Sequence, residues 1–155
     1  MRQQRWFPAA ALAVGLFAIN AATRLVIRLG FSESTTAQDR ASIVMFALVG
    51  VALAGVTFLR AQAVRPSAWL WDIALGGIGG MLLTILVGPF ISGDEPFSGG
   101  AGNFFSQVWL YGGFGIVGTL LGYWIATALG RDYRSRSLTA YVNTRAARPR
   151  RVVRR

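Results

Sequence analysis

Apolar residues along this chain are gathered into four long blocks that are separated by short polar stretches. The blocks run approximately from Phe7 to Ile27, from Ala41 to Leu59, from Ala68 to Val87 and from Phe104 to Leu129. Each block is close to the roughly 20 residues with which an α-helix crosses a bilayer. The pattern therefore predicts an all-α, polytopic integral membrane protein in which residues 1–130 form an antiparallel bundle of four transmembrane helices.

Residues with known preferences for helix ends stand between these blocks. Candidate N-caps precede the second, third and fourth helices: Thr35 with Gln38 as a capping box, Ser67, and Asn103. Gly88 and Pro89 are expected to end or kink the third helix, because proline removes a backbone donor. Gly130 is expected to cap the fourth helix, since glycine accepts the left-handed conformation common at helix C-termini.

A cleaved signal peptide is the alternative interpretation of the first block. Arg2 and Arg5 precede the apolar run, and Ala21 and Ala22 follow it. Signal peptidase sites need small residues at both −1 and −3, and a larger side chain would occupy −3 here. The sequence therefore favours a retained first helix.

The arginines are distributed very unequally between the two sides of the predicted membrane. One side carries Arg2, Arg5, Arg60, Arg65 and the nine arginines from Arg131 onward, and the other carries Arg24, Arg28 and Arg40. Because cytoplasmic flanks retain Lys and Arg during insertion, this distribution predicts that both termini are cytoplasmic. Aromatic residues at the ends of the blocks are typical of interfacial belts: Trp6, Trp69, Trp71 and Trp124 inside, and Phe97, Phe104 and Trp109 outside.

The composition excludes several kinds of chemistry. Only 14% of the residues are charged, against about 25% in soluble domains, and the chain contains neither histidine nor cysteine. Disulfides, thiolate catalysis and imidazole ligation of metals or haem are therefore excluded, and we expect no catalytic, cofactor or metal site. All 16 basic residues are arginine, which is typical of a GC-rich bacterial genome and predicts the plasma membrane.

Polar and charged side chains inside the predicted spans form the candidate intramembrane site: Asn20, Arg24, Arg28 and Asp72. Asn20, Arg24 and Arg28 follow one another at intervals of four and share one helical face. Arg24 lies about one turn inside the outer boundary, where a guanidinium can snorkel to the interface. The functional alternative is that Arg24 points among the helices, either paired with Asp94 or Glu95 or ready for an anionic ligand.

Asp72 is the only acid within a span. A buried carboxylate is the usual proton-coupling group of a transporter. At the N-terminus of the third helix, however, Asp72 offsets the positive end of the helix dipole and can reach Arg60 or Arg65. Small four-span multidrug exporters carry a glutamate in the middle of their first span, whereas residues 1–32 contain no acid here, so the similarity is limited to size.

Glycines are spaced for close packing of helices. Small-xxx-small pairs occur in the third block (Gly76, Gly80) and in the fourth (Gly118, Gly122), with a weaker pair, Gly50 and Ala54, in the second. Such pairs let helix backbones approach closely in lipid, where van der Waals packing drives association. We expect the third and fourth helices to pack on each other through these faces, and a further glycine face to meet another subunit.

The C-terminal tail, residues 131–155, carries nine arginines and one acid. Leu138, Tyr141 and Val142 predict a short amphipathic turn, and Pro149 with the high charge density predicts disorder beyond it. A juxtamembrane basic segment is attracted to anionic lipid headgroups, so these are the expected partners of Arg145, Arg148, Arg150, Arg151, Arg154 and Arg155. A partner protein is the alternative, and nucleic acid is not expected.

The sequence favours a non-catalytic membrane subunit over the other classes of function. An enzyme needs a nucleophile, base or metal site, and no such constellation is recognisable. A homo-oligomeric transporter or channel is one alternative, although the spans hold few polar groups, and a holin-like protein is another. We therefore expect an accessory, assembly or scaffold subunit that acts through helix–helix contacts with other membrane subunits or with copies of itself.

Overall fold

The computed structural model of the protein describes residues 6–30, 35–93, 97 and 99–146. Across these residues the regular structure is entirely α-helical. The helices are α1 (Phe7–Gly30), α2 (Thr35–Ala63), α3 (Pro66–Leu86), α4 (Gly88–Ser92), α5 (Gly100–Ala128) and α6 (Tyr133–Ala146).

Four of the helices, α1, α2, α3 and α5, are long and apolar enough to cross a membrane. They coincide with the four blocks of the sequence and differ from them by no more than six residues at any end. A helix satisfies all of its interior backbone hydrogen bonds within one segment, which is what a lipid environment demands. The expectation of four membrane-length helices is confirmed.

Two of the expected N-caps are wrong. Helix α3 begins at Pro66, with Arg65 at the N-cap position and no side-chain hydrogen bond there. Proline at the first helical position has the helical φ and no N–H to satisfy, so a cap by Ser67 is not needed. Asn103 lies inside α5, which begins at Gly100. The side chains of the expected capping box before α2 lie outside the described residues.

The expected helix ends are confirmed. Gly130 has φ +62°, and its N–H donates to Thr127 O at 2.9 Å while Arg131 N–H donates to Ala126 O at 2.9 Å. These two bonds are the Schellman arrangement, which satisfies the last carbonyls of α5. The third block breaks at Val87, and the short α4 restarts with Pro89 in its first turn.

The closest helix contacts join α1 to α3 and α2 to α5. Gly118 and Gly122 of α5 lie against the α2 backbone, where a Cβ atom on either glycine would stand less than 3 Å from the carbonyl carbon of Gly50 or Ala54. The weaker small pair of the second block is therefore the counterpart of the pair in the fourth. Because 50 and 54 face 118 and 122 in that order, α2 and α5 run in the same direction.

The glycines of α3 pack on α1. A Cβ atom on Gly76 would lie 3.0 Å from Leu12 Cβ, and one on Gly80 would lie 3.0 Å from Leu16 Cβ. These helices also run in the same direction, since both residue numbers rise together. The expectation that the glycine faces of the third and fourth blocks pack on each other is wrong, because the α3 glycines pack on α1 and the α5 glycines pack on α2.

The interior contains mainly aliphatic and aromatic side chains: Leu16, Met45, Phe46, Val49, Leu53, Trp69, Ile73 and Tyr111. Phe46 of α2 is the centre of an aromatic group, with its ring 6.5 Å from those of both Tyr111 and Phe114. Trp69 is 2% exposed and lies 6.0 Å from the Tyr123 ring. It is therefore an interior residue, whereas the other tryptophans of the expected belts are exposed.

The tail is helical where the structure describes it. Helix α6 covers Tyr133–Ala146, which corrects the expectation that only a short turn forms before disorder; residues 147–155 lie outside the described part. Asp132 caps α6 by accepting the backbone N–H of Arg134 at 3.1 Å and of Ser135 at 3.4 Å. A further hydrogen bond from the Ser135 hydroxyl, together with these backbone bonds, lowers the pKa of Asp132 below its usual value.

Candidate functional site

Asn20 is the most deeply buried polar residue of α1. Its side chain has no exposed surface, its Nδ2 donates to Met45 Sδ at 2.9 Å, and its Oδ1 accepts from Arg24 Nε at 3.1 Å. A buried amide without partners would cost several kcal/mol in an apolar environment. Asn20 therefore connects α1 to α2 and at the same time fixes the direction of the Arg24 side chain.

Gly88 makes room for this pair at the break between α3 and α4. A Cβ atom on Gly88 would lie 2.8 Å from Asn20 Oδ1 and 2.9 Å from Arg24 Nε. Pro89, which follows it, prevents the third block from continuing as one helix. The sequence Gly-Pro thus does two things: it breaks the helix, and it brings the backbone against the polar face of α1.

The polar face of α1 continues towards the C-terminus of the helix to Arg28, whose Nη1 donates to Ile91 O at 2.8 Å. That carbonyl belongs to the last turn of α4, where helix carbonyls lack intrahelical partners. Asn20, Arg24 and Arg28 therefore lie on one face, as their spacing predicts, and the face is directed towards α4. Asp94 and Glu95, the expected partners of Arg24, lie outside the described residues.

Two buried hydroxyl groups on the neighbouring helices α3 and α5 were not part of the sequence-based site. Thr84 is 1% and Tyr111 3% exposed, and neither hydroxyl has a hydrogen-bond partner among the described residues. The Tyr111 oxygen would lie 2.7 Å from a Cβ on Gly80, and Thr84 is one turn further along α3. Tyrosine in membrane spans is most common at the interface. Tyr111 lies far from both ends of α5, and this unusual position was the feature of the sequence that could have identified it.

Asp72 is not part of the polar face of α1. Its Oδ2 lies 3.8 Å from Arg60 Nη1, and both side chains are partly exposed. The 14 residues from Asp72 to the end of α3 correspond to about 21 Å of helix. The four residues of the predicted site therefore form two separate groups, one near each end of the bundle, and Asp72 has the structural partner that its position predicted.

The remaining predicted residues have packing or surface positions. Gly76, Gly80, Gly118 and Gly122 all lie in contacts between helices of the same chain. Arg145 is exposed on α6, with its guanidinium 5.4 Å from the centre of the Tyr141 ring. The other tail arginines, Arg148, Arg150, Arg151, Arg154 and Arg155, lie outside the described residues.

The polar side chains of the interior offer hydrogen-bond donors and positive charge. They can bind or orient a polar group: Asn20 and Arg24 of α1, Thr84 of α3 and Tyr111 of α5. They provide neither a thiol nor an imidazole, and a hydroxyl needs a general base to become a nucleophile. Within the described residues, no group of three or more acids, histidines or cysteines is placed to hold a metal ion. The chemistry that these side chains support is polar contact inside a membrane protein.

No protein-family model matches this chain, and comparisons with curated proteins and with solved structures returned no match.

Proposed function

We propose that this chain is a small non-catalytic integral membrane protein that serves as an accessory, assembly or scaffold subunit of a larger membrane complex. It would act through contacts between its own helices and those of another subunit. The observation that carries this proposal is the presence of helical glycines that the chain's own fold does not use.

Gly112 and Gly113 of α5 are the clearest examples. A Cβ atom on either residue would meet nothing within 4 Å. Further along the same helix, Gly115, Gly118 and Gly122 lie against α2. Glycine inside a helix costs about 0.5–1 kcal/mol relative to alanine. Small residues on an open helix face are the usual contact surface for another membrane helix, and such a contact would compensate this cost.

The proposed topology places both termini in the cytoplasm, with the helices crossing the plasma membrane alternately up and down. The arginine distribution supports this orientation. Contacts between chain neighbours support the alternation, because Trp69 near the start of α3 meets Tyr123 near the end of α5, and Arg60 near the end of α2 meets Asp72 near the start of α3. Because the chain contains no cysteine, a single cysteine introduced at Ser67 or at Phe97 can be labelled selectively. In the proposed topology, Ser67 is reached from the cytoplasmic side and Phe97 from the outer side.

The partner contact is tested by gentle solubilisation followed by native mass analysis. We expect heterologous chains to accompany the wild-type protein. Gly113→Leu should release them without destabilising the fold of the chain, since open space surrounds this position. Ala101→Leu, which is also exposed and lies about three turns closer to the start of α5, is the matched control. Recovery of the wild-type protein as a lone chain would contradict the accessory role.

A homo-oligomeric transporter or channel is the second candidate. The buried hydroxyls of Thr57, Thr84 and Tyr111 favour it, because they have no hydrogen-bond partner in the part of the chain that the structure describes and polar groups inside a bundle mark solute or ion pathways. Flux into liposomes that contain the purified protein tests this alternative. Thr84→Val and Tyr111→Phe keep the shape of each side chain and remove its hydroxyl, so a transporter should lose flux in both variants.

A further inference from the structure

An apolar groove lies between α1 and α2 on the surface of the bundle. Its volume is about 580 Å³, and its lining is apolar except at one end: it includes Phe7, Gly15 and Ile19 of α1 and Ala52, Val56 and Arg60 of α2. The groove exists because α1 packs chiefly on α3 and α2 on α5, which leaves the seam between α1 and α2 open. Small residues widen it, and Gly15 has open space around its Cβ position.

The length of the groove corresponds to one leaflet of a bilayer. Along α1 its lining runs from Phe7 to Ile19, which is about 18 Å of helix. Half of the hydrocarbon core is about 15 Å. Trp6, which precedes α1 and is 63% exposed, stands at the same end as Arg60, where an aromatic residue anchors a helix at the headgroup level. One end of the groove is thus at the interface and the other near the bilayer centre.

Arg60 gives the interfacial end of the groove a positive charge. Its guanidinium carries five N–H donors, yet its partner among the described residues is Asp72 at 3.8 Å, which is longer than a hydrogen bond. The Arg60 side chain is 39% exposed, so it remains accessible. A planar guanidinium binds phosphate oxygens in a bidentate manner. No acidic residue lines the groove.

We propose that this groove is a binding site for one anionic phospholipid. An acyl chain lies along the apolar lining between α1 and α2, and the lipid phosphate accepts hydrogen bonds from Arg60. The apolar length, the interfacial position of the open end and the single cation at that end each match one part of such a lipid. A lipid of this kind also fills the seam that the chain's own packing leaves open.

Native mass spectrometry of the full-length protein with added phosphatidylglycerol or phosphatidylcholine of the same acyl chains tests the proposal. We expect the wild-type protein to bind one phosphatidylglycerol more tightly than phosphatidylcholine. Arg60→Gln should lower the affinity for phosphatidylglycerol about fivefold, as expected for one basic residue near anionic lipid. Arg65→Gln is the matched control, because its guanidinium lies over the Tyr133 ring outside the groove, and both variants keep the basic tail.

The ion-pair partner distinguishes binding from a structural role. Asp72→Asn removes an anion that competes with the phosphate, so it should raise the affinity for phosphatidylglycerol, while Arg60→Gln lowers it. If the pair only stabilised the fold, both changes would act in the same direction, and that result would overturn the proposal.

The groove itself is tested by filling it. Gly15→Leu should reduce binding of both lipids, whereas Gly77→Leu, which also has open space but lies on α3 outside the groove, should not. Equal affinity of the wild-type protein for the two lipids would overturn the proposal. A dimer that dissociates on Gly15→Leu would do so as well, since it would identify the occupant as a second copy of the chain.

Discussion

The contact between α2 and α5 can be tested with a single methyl group. At Gly118 a Cβ atom would stand 2.7 Å from the carbonyl carbon of Gly50 and 2.8 Å from its Cα. The Gly50 carbonyl oxygen would be closer still. Ordinary contact begins at 3.4 Å, so Gly118→Ala has to move two backbones apart by more than about 0.7 Å. A backbone cannot rotate away as the end of a side chain does, and the displacement extends along the helices to the contact of Gly122 with Ala54.

The expected magnitude follows from two opposing terms. Forcing extra atoms into a packed contact costs about 1–3 kcal/mol, whereas alanine is favoured over glycine in a helix by up to about 1 kcal/mol. Gly113→Ala on the same helix receives only the second term, because open space surrounds it. The difference between the two variants therefore isolates the packing cost, and we expect Gly118→Ala to be less stable than Gly113→Ala by about 1–3 kcal/mol.

Reversible unfolding by SDS in mild detergent micelles measures this difference. Trp69 is buried beside Tyr123 of α5, so tryptophan fluorescence is expected to report separation of α3 and α5. The effect belongs to packing within one chain and should appear in monomeric protein. The reasoning would be refuted if Gly118→Ala were as stable as Gly113→Ala, because the backbones would then not be in contact.

Three further outcomes are expected from other parts of the structure. Asn20→Leu should destabilise the fold by about 1–3 kcal/mol in the same SDS titration, because it removes the buried hydrogen bonds that join Asn20 to Met45 and Arg24, whereas Asn20→Gln should recover part of the loss. Asp72→Asn should cost at most about 1 kcal/mol, because the ion pair with Arg60 is long and partly exposed; a larger loss would show that the pair is a main stabilising contact. Asp132→Ala should weaken α6 by about 1 kcal/mol, seen as lower protection from amide exchange over 133–146 at neutral pH, and unchanged protection would contradict the cap. Since the folded pKa of Asp132 is lowered, its capping is complete above the unfolded pKa near 4 and is lost as the pH falls through the folded value, so acid should also lower this protection relative to the intrinsic exchange rate.

The polar face of α1 could be predicted in part. The spacing of Asn20, Arg24 and Arg28 indicates one helical face without any knowledge of the fold, because the period of an α-helix is fixed. What this face contacts depends on distant residues: Met45 comes from α2, and Gly88 and Ile91 come from α4. The sequence also set Asp72 apart from this face, because Asp72 lies at the start of the third block with Arg60 and Arg65 nearby, whereas Arg24 lies near the opposite boundary. The structure pairs Asp72 with Arg60.

The sequence by itself determined the number, length and approximate ends of the membrane-length helices. Lipid acts on each segment separately, through its length, its apolar character and its internal backbone hydrogen bonds, so these properties are readable from a window of about 20 residues. Proline and glycine at positions 88, 89 and 130 ended helices for equally local reasons.

Only the tertiary structure decided which helices pack together. All of the glycine faces are apolar and similar, and in lipid no difference in hydrophobicity selects one pairing over another. The choice depends on how well whole surfaces fit, and this fit matched Gly118 and Gly122 with Gly50 and Ala54, and the glycines of α3 with Leu12 and Leu16 of α1. The groove between α1 and α2 is a consequence of that pairing, so it too was beyond the reach of the sequence.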